Sequence, residues 1–127
     1  METSILVTQL VPATVTRPRG EEAYWKLREY LPTGAVEVDL NSATLLSFSF
    51  LDGIILRLLE ASQLEKVTFV ASDTKLQKKL AQVAGVRNAT IFFRTGKGEH
   101  RRPIQPKAAI KIELETNSAS KQFIIAA

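Results

Sequence analysis

The chain has 127 residues, of which 45% are hydrophobic, and a mean hydropathy near zero. That is one ordinary globular domain, neither disordered nor membrane-embedded. Without cysteine there is no disulfide, thiolate nucleophile or zinc–thiolate site, and no apolar run approaches the roughly 20 residues of a bilayer span. No basic-apolar-small leader is evident, so a cytoplasmic protein without membrane association is expected.

The first strand is expected at Ile5 to Val11, a β-rich run. Pro12 and Pro18 bracket a connection, because each lacks a backbone donor and restricts its predecessor. Gly20 leads into a helix over Glu21–Leu31, with Ala23, Leu27, Tyr30 and Leu31 on one face and Glu22–Lys26 spaced as an i,i+4 ion pair. Glu21 and Glu22 suit the positive end of its dipole, and Pro32 and Gly34 stop it.

Val36–Leu40 reads as a second strand, ending at an acid, Asp39, that orients or caps the loop. A helix over Ser49–Ala61 follows, with Leu51, Ile54, Ile55, Leu58 and Leu59 as a wide apolar stripe. Ser49 is expected to cap it, and Ser49-x-x-Asp52 has capping-box spacing. Val67–Ala71 is a third strand. Ser72 or Asp73 can cap the next helix, which carries Leu76, Leu80 and Val83 on one face and Gly85 as its C′ residue. Ala89–Phe93 is a fourth strand. Strand and helix thus alternate, which predicts an α/β fold with a mainly parallel or mixed sheet flanked by helices. Pairing of Val36–Leu40 and Val67–Ala71 as parallel neighbours follows from the intervening helix.

The last third departs from this alternation. Gly96 and Gly98 mark a turn, and Pro103 and Pro106 interrupt. Ile110, Ile112 and Leu114 alternate with Lys111, Glu113 and Glu115, as in an antiparallel or edge strand. The expected organisation is one domain over 1–116, with a core at about 5–94 and a basic loop and edge strand at 95–116, then a tail over 117–127. Between Arg94 and Lys111, the cations Arg94, Lys97, Arg101, Arg102, Lys107 and Lys111 meet only Glu99, a local net charge of +5 in a chain of net charge +4, so the basic character belongs to this late segment.

The Val36–Ile55 segment, with Thr16-Arg17 before the first helix, resembles the STAS domain of sulphate transporters and anti-sigma-factor antagonists. It is most similar to a bacterial STAS-like family of unassigned function that carries a Ser-x-Ser-Phe-x-(Asp/Glu) turn. The resemblance implies a sheet flanked by helices from about Ile5 to Arg94, and a regulatory role without catalysis. In phosphorylatable antagonists the turn reads roughly Asp-Ser-(Ser/Thr)-Gly. Those positions here are Ser47, Phe48, Ser49 and Phe50. The phosphoacceptor position is therefore Phe48, which has no hydroxyl, and Ser49 becomes the candidate phosphosite beside its plainer reading as a helix cap.

The expected function is protein–protein contact through the loop Asn41–Leu46 and the partner-binding residues Ser47, Phe48, Ser49 and Asp52. The resemblance implies an ATP-binding, histidine-kinase-like protein as the partner; a homodimer is a further assembly considered. No catalytic residue, metal or cofactor is expected. His100 is the one histidine and sits in a polar loop, and Thr95-Gly96-Lys97-Gly98 lacks Walker spacing. The alternative is a nucleic-acid-associated protein using Arg94, Lys97, Arg101 and Arg102, since clustered cations gain from counterion release. A small-molecule enzyme is the third reading. Trp25 lies off the helix stripe, either packed at the sheet edge or exposed as an anchor.

Overall fold

The computed structural model describes residues 3–96 and 98–106. Lys97, Lys107, Lys111, the strand expected around Ile110–Leu114 and the 117–127 tail lie outside the described residues. The elements are β1 (Thr3–Leu6), α1 (Val7–Leu10), α2 (Arg17–Leu27), β2 (Val36–Asp39), α3 (Phe48–Glu60), β3 (Val67–Val70), α4 (Thr74–Arg87), β4 (Ile91–Arg94) and β5 (Arg102–Ile104).

The five strands form one sheet in chain order, β1-β2-β3-β4-β5. The first four run parallel and β5 pairs antiparallel with β4. Val36 pairs with Val67 and Val38 with Phe69, so the expected parallel neighbours are found. Each parallel step crosses through a helix, and the right-handed rule places α2, α3 and α4 on one face. Under them lie Ile5, Val36, Val38, Val67, Phe69, Ile91 and Phe93, all in the contiguous core. The alternate positions Glu37, Thr68, Phe92 and Arg94 point to the other face, as the period of two requires. Val70 shares that face and is buried outside the contiguous core. Among the described residues no helix is long and apolar enough to cross a membrane.

Several element boundaries differ from expectation. The strand expected over Ile5–Val11 stops at Leu6, and Val7–Leu10 is one helical turn. Val7 and Leu10, three apart, are both buried, which a helix achieves and a strand does not. Gln9 Oε1 accepts the Leu6 N–H at 3.0 Å and anchors that turn.

Helix α2 begins at Arg17, not Glu21. Thr16 Oγ1 caps it by accepting Arg19 N–H at 3.3 Å, and Pro18 sits in the first turn, where its missing donor costs nothing. Glu21 and Glu22 are therefore one turn inside, where Glu22 reaches Arg19 at 2.7 Å and Lys26 at 3.6 Å. Helix α4 is capped by Asp73, whose Oδ1 accepts Lys75 N–H at 2.8 Å. It ends not at Gly85 but at Asn88, which adopts the left-handed conformation at φ 52°.

The contact between α2 and α3 is set by two glycines. A Cβ on Gly20 would lie 2.2 Å from the Phe50 carbonyl oxygen, and one on Gly53 would lie 2.7 Å from the Arg17 carbonyl oxygen. The two backbones approach to a separation that no side chain permits. The stripe of α3 buries Leu51, Ile54, Ile55 and Leu58, whereas Leu59 is left partly exposed.

Candidate functional site at the start of helix α3

The chain leaves the end of β2 through a tight turn. Asp39 Oδ1 accepts Asn41 N–H at 2.8 Å, and Ser42 Oγ donates to the Asp39 carbonyl at 3.2 Å. Asp39 is thus the loop-orienting acid that its position at a strand end predicts. Asn41 Oδ1 accepts both the N–H and the hydroxyl of Ser72, at 3.0 and 3.1 Å, tying this turn to the one after β3.

Residues 45–47 are held from two sides. Thr14 Oγ1 donates to the Leu45 carbonyl, Ser47 N–H donates to the Thr14 carbonyl at 3.1 Å, and Ser47 Oγ donates to the Val15 carbonyl. From the other side Lys79 Nζ donates to the Leu46 carbonyl at 2.6 Å. Ser47 Oγ also accepts Phe50 N–H at 3.1 Å. The N-cap of α3 is therefore Ser47, and the cap expected at Ser49 is corrected. Ser47 has extended φ and ψ, whereas Ser49 already lies within the helix. The deciding contacts come from the distant 14–15 segment.

The four expected contact residues have different surroundings. Ser49 is exposed, and its hydroxyl makes no hydrogen bond among the described residues. Phe48 is half-buried against the core, and Ser47 is half-buried and fully engaged. Asp52 is buried, with its side chain only 2% exposed. Its carboxylate accepts two bonds from Arg87 of α4, Nε at 2.7 Å and an Nη at 2.6 Å, and one from Arg17 at the start of α2. Hydrogen bonds from Arg87, then from Arg17, hold its carboxyl below the usual aspartate value although burial opposes them. The same pairing raises Arg87 above the ordinary arginine value. Asp52 joins three helices rather than facing a partner, and its capping-box role is not realised.

Around the turn, Val15 and Leu45 are exposed, Leu45 to 64%. Thr8, Pro12, Ala13, Ser42 and Thr44 line an open hollow of about 230 Å³ between their two loops. Among the described residues the strand order has no reversal, and so no switch-point crevice of the kind that doubly wound folds offer to nucleotides. Among the described residues no group of three or more His, Cys, Asp or Glu is placed to hold a metal ion.

Of the basic candidates, Arg94, Arg101 and Arg102 lie among the described residues and make their contacts away from this site. Arg94 Nε donates to Glu37 Oε2 at 2.9 Å, a second nitrogen binds the same oxygen, and Nη1 reaches the Glu99 carbonyl at 3.3 Å. Arg101 donates to the Glu65 carbonyl at 2.7 Å and lies 3.9 Å over the Phe92 ring. Arg102 lies 5.1 Å from the centre of Phe93. Trp25 is half-exposed beneath Arg28, 4.3 Å from its ring centre.

Sequence reasoning missed Glu37, Arg87 and Gly53, and it named Arg17 and Gly20 at the entry to the first helix without their ion-pairing and packing roles. A buried acid inside the second strand was the available signal for Glu37, since such a group needs a cation. Compared with protein-family models, curated proteins and solved structures, the chain matches none.

Proposed function

We propose that this protein is a STAS-like regulatory module that acts by protein–protein contact, without catalysis, through residues 41–49. The observation that carries the reading is the pairing of exposed Leu45 and a Ser49 hydroxyl without a hydrogen bond among the described residues, on a turn pinned by Thr14, Ser47 and Lys79. A pre-organised turn loses little entropy on binding, and an exposed apolar side chain supplies the area to be buried. The STAS resemblance suggests an ATP-binding, histidine-kinase-like partner in the cytoplasm. Phosphorylation of Ser49 would set a charge of about −1.5 to −2 against the first-turn N–H groups of α3. Asp52 does not oppose it as a lone carboxylate would, because Arg17 and Arg87 neutralise it.

The test is recovery of partners on the immobilised wild-type protein, followed by calorimetry with Leu45→Asp and Ser49→Asp variants. Both should weaken the complex at least about tenfold, or roughly 1.4 kcal/mol. Wild-type affinity in both would place the interface elsewhere. The nucleic-acid reading has less support, since Arg94 is committed to Glu37 and Arg101 to Glu65 and Phe92. Retention on DNA at physiological salt that falls in an Arg101→Ala, Arg102→Ala variant would restore it.

A further inference from the structure

A second concave site lies on the far side of α4, away from the turn discussed above. Between α4 and the antiparallel strand β5 is an open groove of about 340 Å³, lined by Ala81, Phe93, Pro103 and Ile104, with Thr74, Gln77 and Lys78 along the helix side. Its floor is apolar: Ala81, Phe93 and Ile104 are buried members of the core. Gln77 is turned inward, donating from Nε2 to the Ala71 carbonyl at 2.8 Å. Phe93 also carries Arg102 5.1 Å from its ring centre, so that guanidinium sits beside a lining residue without itself lining the groove.

Among the described residues, the charged side chain that lines the groove is the cation Lys78. Lys78 and Arg102 are exposed, and neither forms an ion pair among the described residues. The nearest acid in sequence, Asp73, caps α4 by accepting the Lys75 N–H at 2.8 Å and is not among the residues that line the groove. An apolar floor with cations at its margin selects a ligand that is itself apolar with one negative end. The volume suits a small organic molecule rather than a peptide helix or a strand. We infer that this groove binds an amphiphilic organic anion, a medium-chain or aryl carboxylate, with its apolar body on Phe93 and Ile104 and its carboxylate toward Lys78 and Arg102. This inference does not depend on the proposed contact surface at 41–49.

The experiment uses the intact chain and two named probes, anilinonaphthalene sulfonate by fluorescence and decanoate as competitor. Saturable one-to-one binding, displaced by decanoate, is expected. Amide chemical-shift changes should fall on α4, β4 and β5. Charge reversal by Lys78→Glu with Arg102→Glu, both at exposed positions, should leave circular dichroism unchanged and weaken both probes at least about tenfold. Decanol, which has the same apolar body without the charge, should compete at least about tenfold less well than decanoate. Non-saturable binding, shifts centred elsewhere, equal competition by decanol, or unchanged affinity in the reversed variant would each overturn the assignment.

Discussion

Among the described residues two buried acids hold arginines, and they sit on opposite sides of the sheet. Asp52, with its side chain 2% exposed, takes Arg17 and Arg87 from two other helices. Glu37, 9% exposed, takes Arg94 across β3 on the face away from the helices. The helices around Asp52 are aligned by side-chain packing and by the close crossing at Gly20 and Gly53, with no backbone ladder between them. The strands around Glu37 are already aligned by the parallel ladder from β2 to β4. The same chemistry is therefore expected to be worth more in the helix layer, where no hydrogen-bonded ladder fixes the geometry beside it.

The strongest way to break this comparison is through the glycines beneath the Asp52 cluster. Gly20→Ala would press a methyl against the Phe50 carbonyl and the Ile54 amide, backbone groups that cannot turn aside. A loss at or above about 3 kcal/mol is expected, the upper end of overpacking costs. Gly53→Ala, with its nearest contact at 2.7 Å rather than 2.2 Å, should cost less. Urea unfolding measures both, and near-neutral values would mean that α2 and α3 are further apart than described. Leu58→Ala, at a fully buried stripe position, should cost about 2–5 kcal/mol.

Next comes the acid itself. Asp52→Ala strands two arginines, but Arg17 and Arg87 are 41% and 29% exposed and can turn to water. The expected loss is about 2–4 kcal/mol, below or within the usual range for breaking a buried pair. Glu37→Gln keeps a hydrogen-bond acceptor for Arg94 inside an intact ladder, so about 1–2 kcal/mol is expected. Equal losses would refute the contrast. pH sharpens it. The Asp52 carboxyl is depressed in the folded state, so the unfolded chain binds the proton first as pH falls. Its stabilisation is complete above the unfolded value of about 4 and is lost as pH drops through the lower folded value. Wild-type stability should therefore fall in that acid window, and Asp52→Asn should flatten the slope there.

How much of this was legible depended on how local each feature is. Val36–Asp39, Val67–Val70 and the Leu51–Leu58 stripe announce themselves because one element's periodicity needs no other part of the chain. The burial of Leu58 and the parallel pairing of β2 with β3 followed from that pattern. The Asp52 cluster did not, because each arginine is 35 residues away and only the packed helices bring them together. The glycines look like helix interruptions in sequence and serve as a close crossing in space. Gly85 has the residue type of a C′ position, yet α4 runs three residues past it to Asn88, since a left-handed Asn ends a helix too. At the proposed contact surface the loop itself was readable, but its division into buried and exposed members was not.

That division gives the smallest and most discriminating effect. Ser47 and Ser49 are chemically identical, two residues apart, and either can cap a helix. In the folded chain Ser47 Oγ accepts from Phe50 N–H and donates to the Val15 carbonyl, while the Ser49 hydroxyl is free of protein partners among the described residues. Ser47→Ala loses both bonds and should cost close to the upper end of the roughly 0.5–2 kcal/mol range for caps. Ser49→Ala should stay within about 0.5 kcal/mol, as at other exposed positions. Ser49→Asp should be neutral or stabilising by about 0.3–1 kcal/mol at low salt, because an acid in the first turn meets the positive end of the α3 dipole. Thermal unfolding of the three variants at low and high salt checks all of this, since only the Ser49→Asp gain should fade with screening. A cost at Ser49→Ala equal to that at Ser47→Ala would return the cap to Ser49. It would also remove the free hydroxyl on which the proposed contact surface depends.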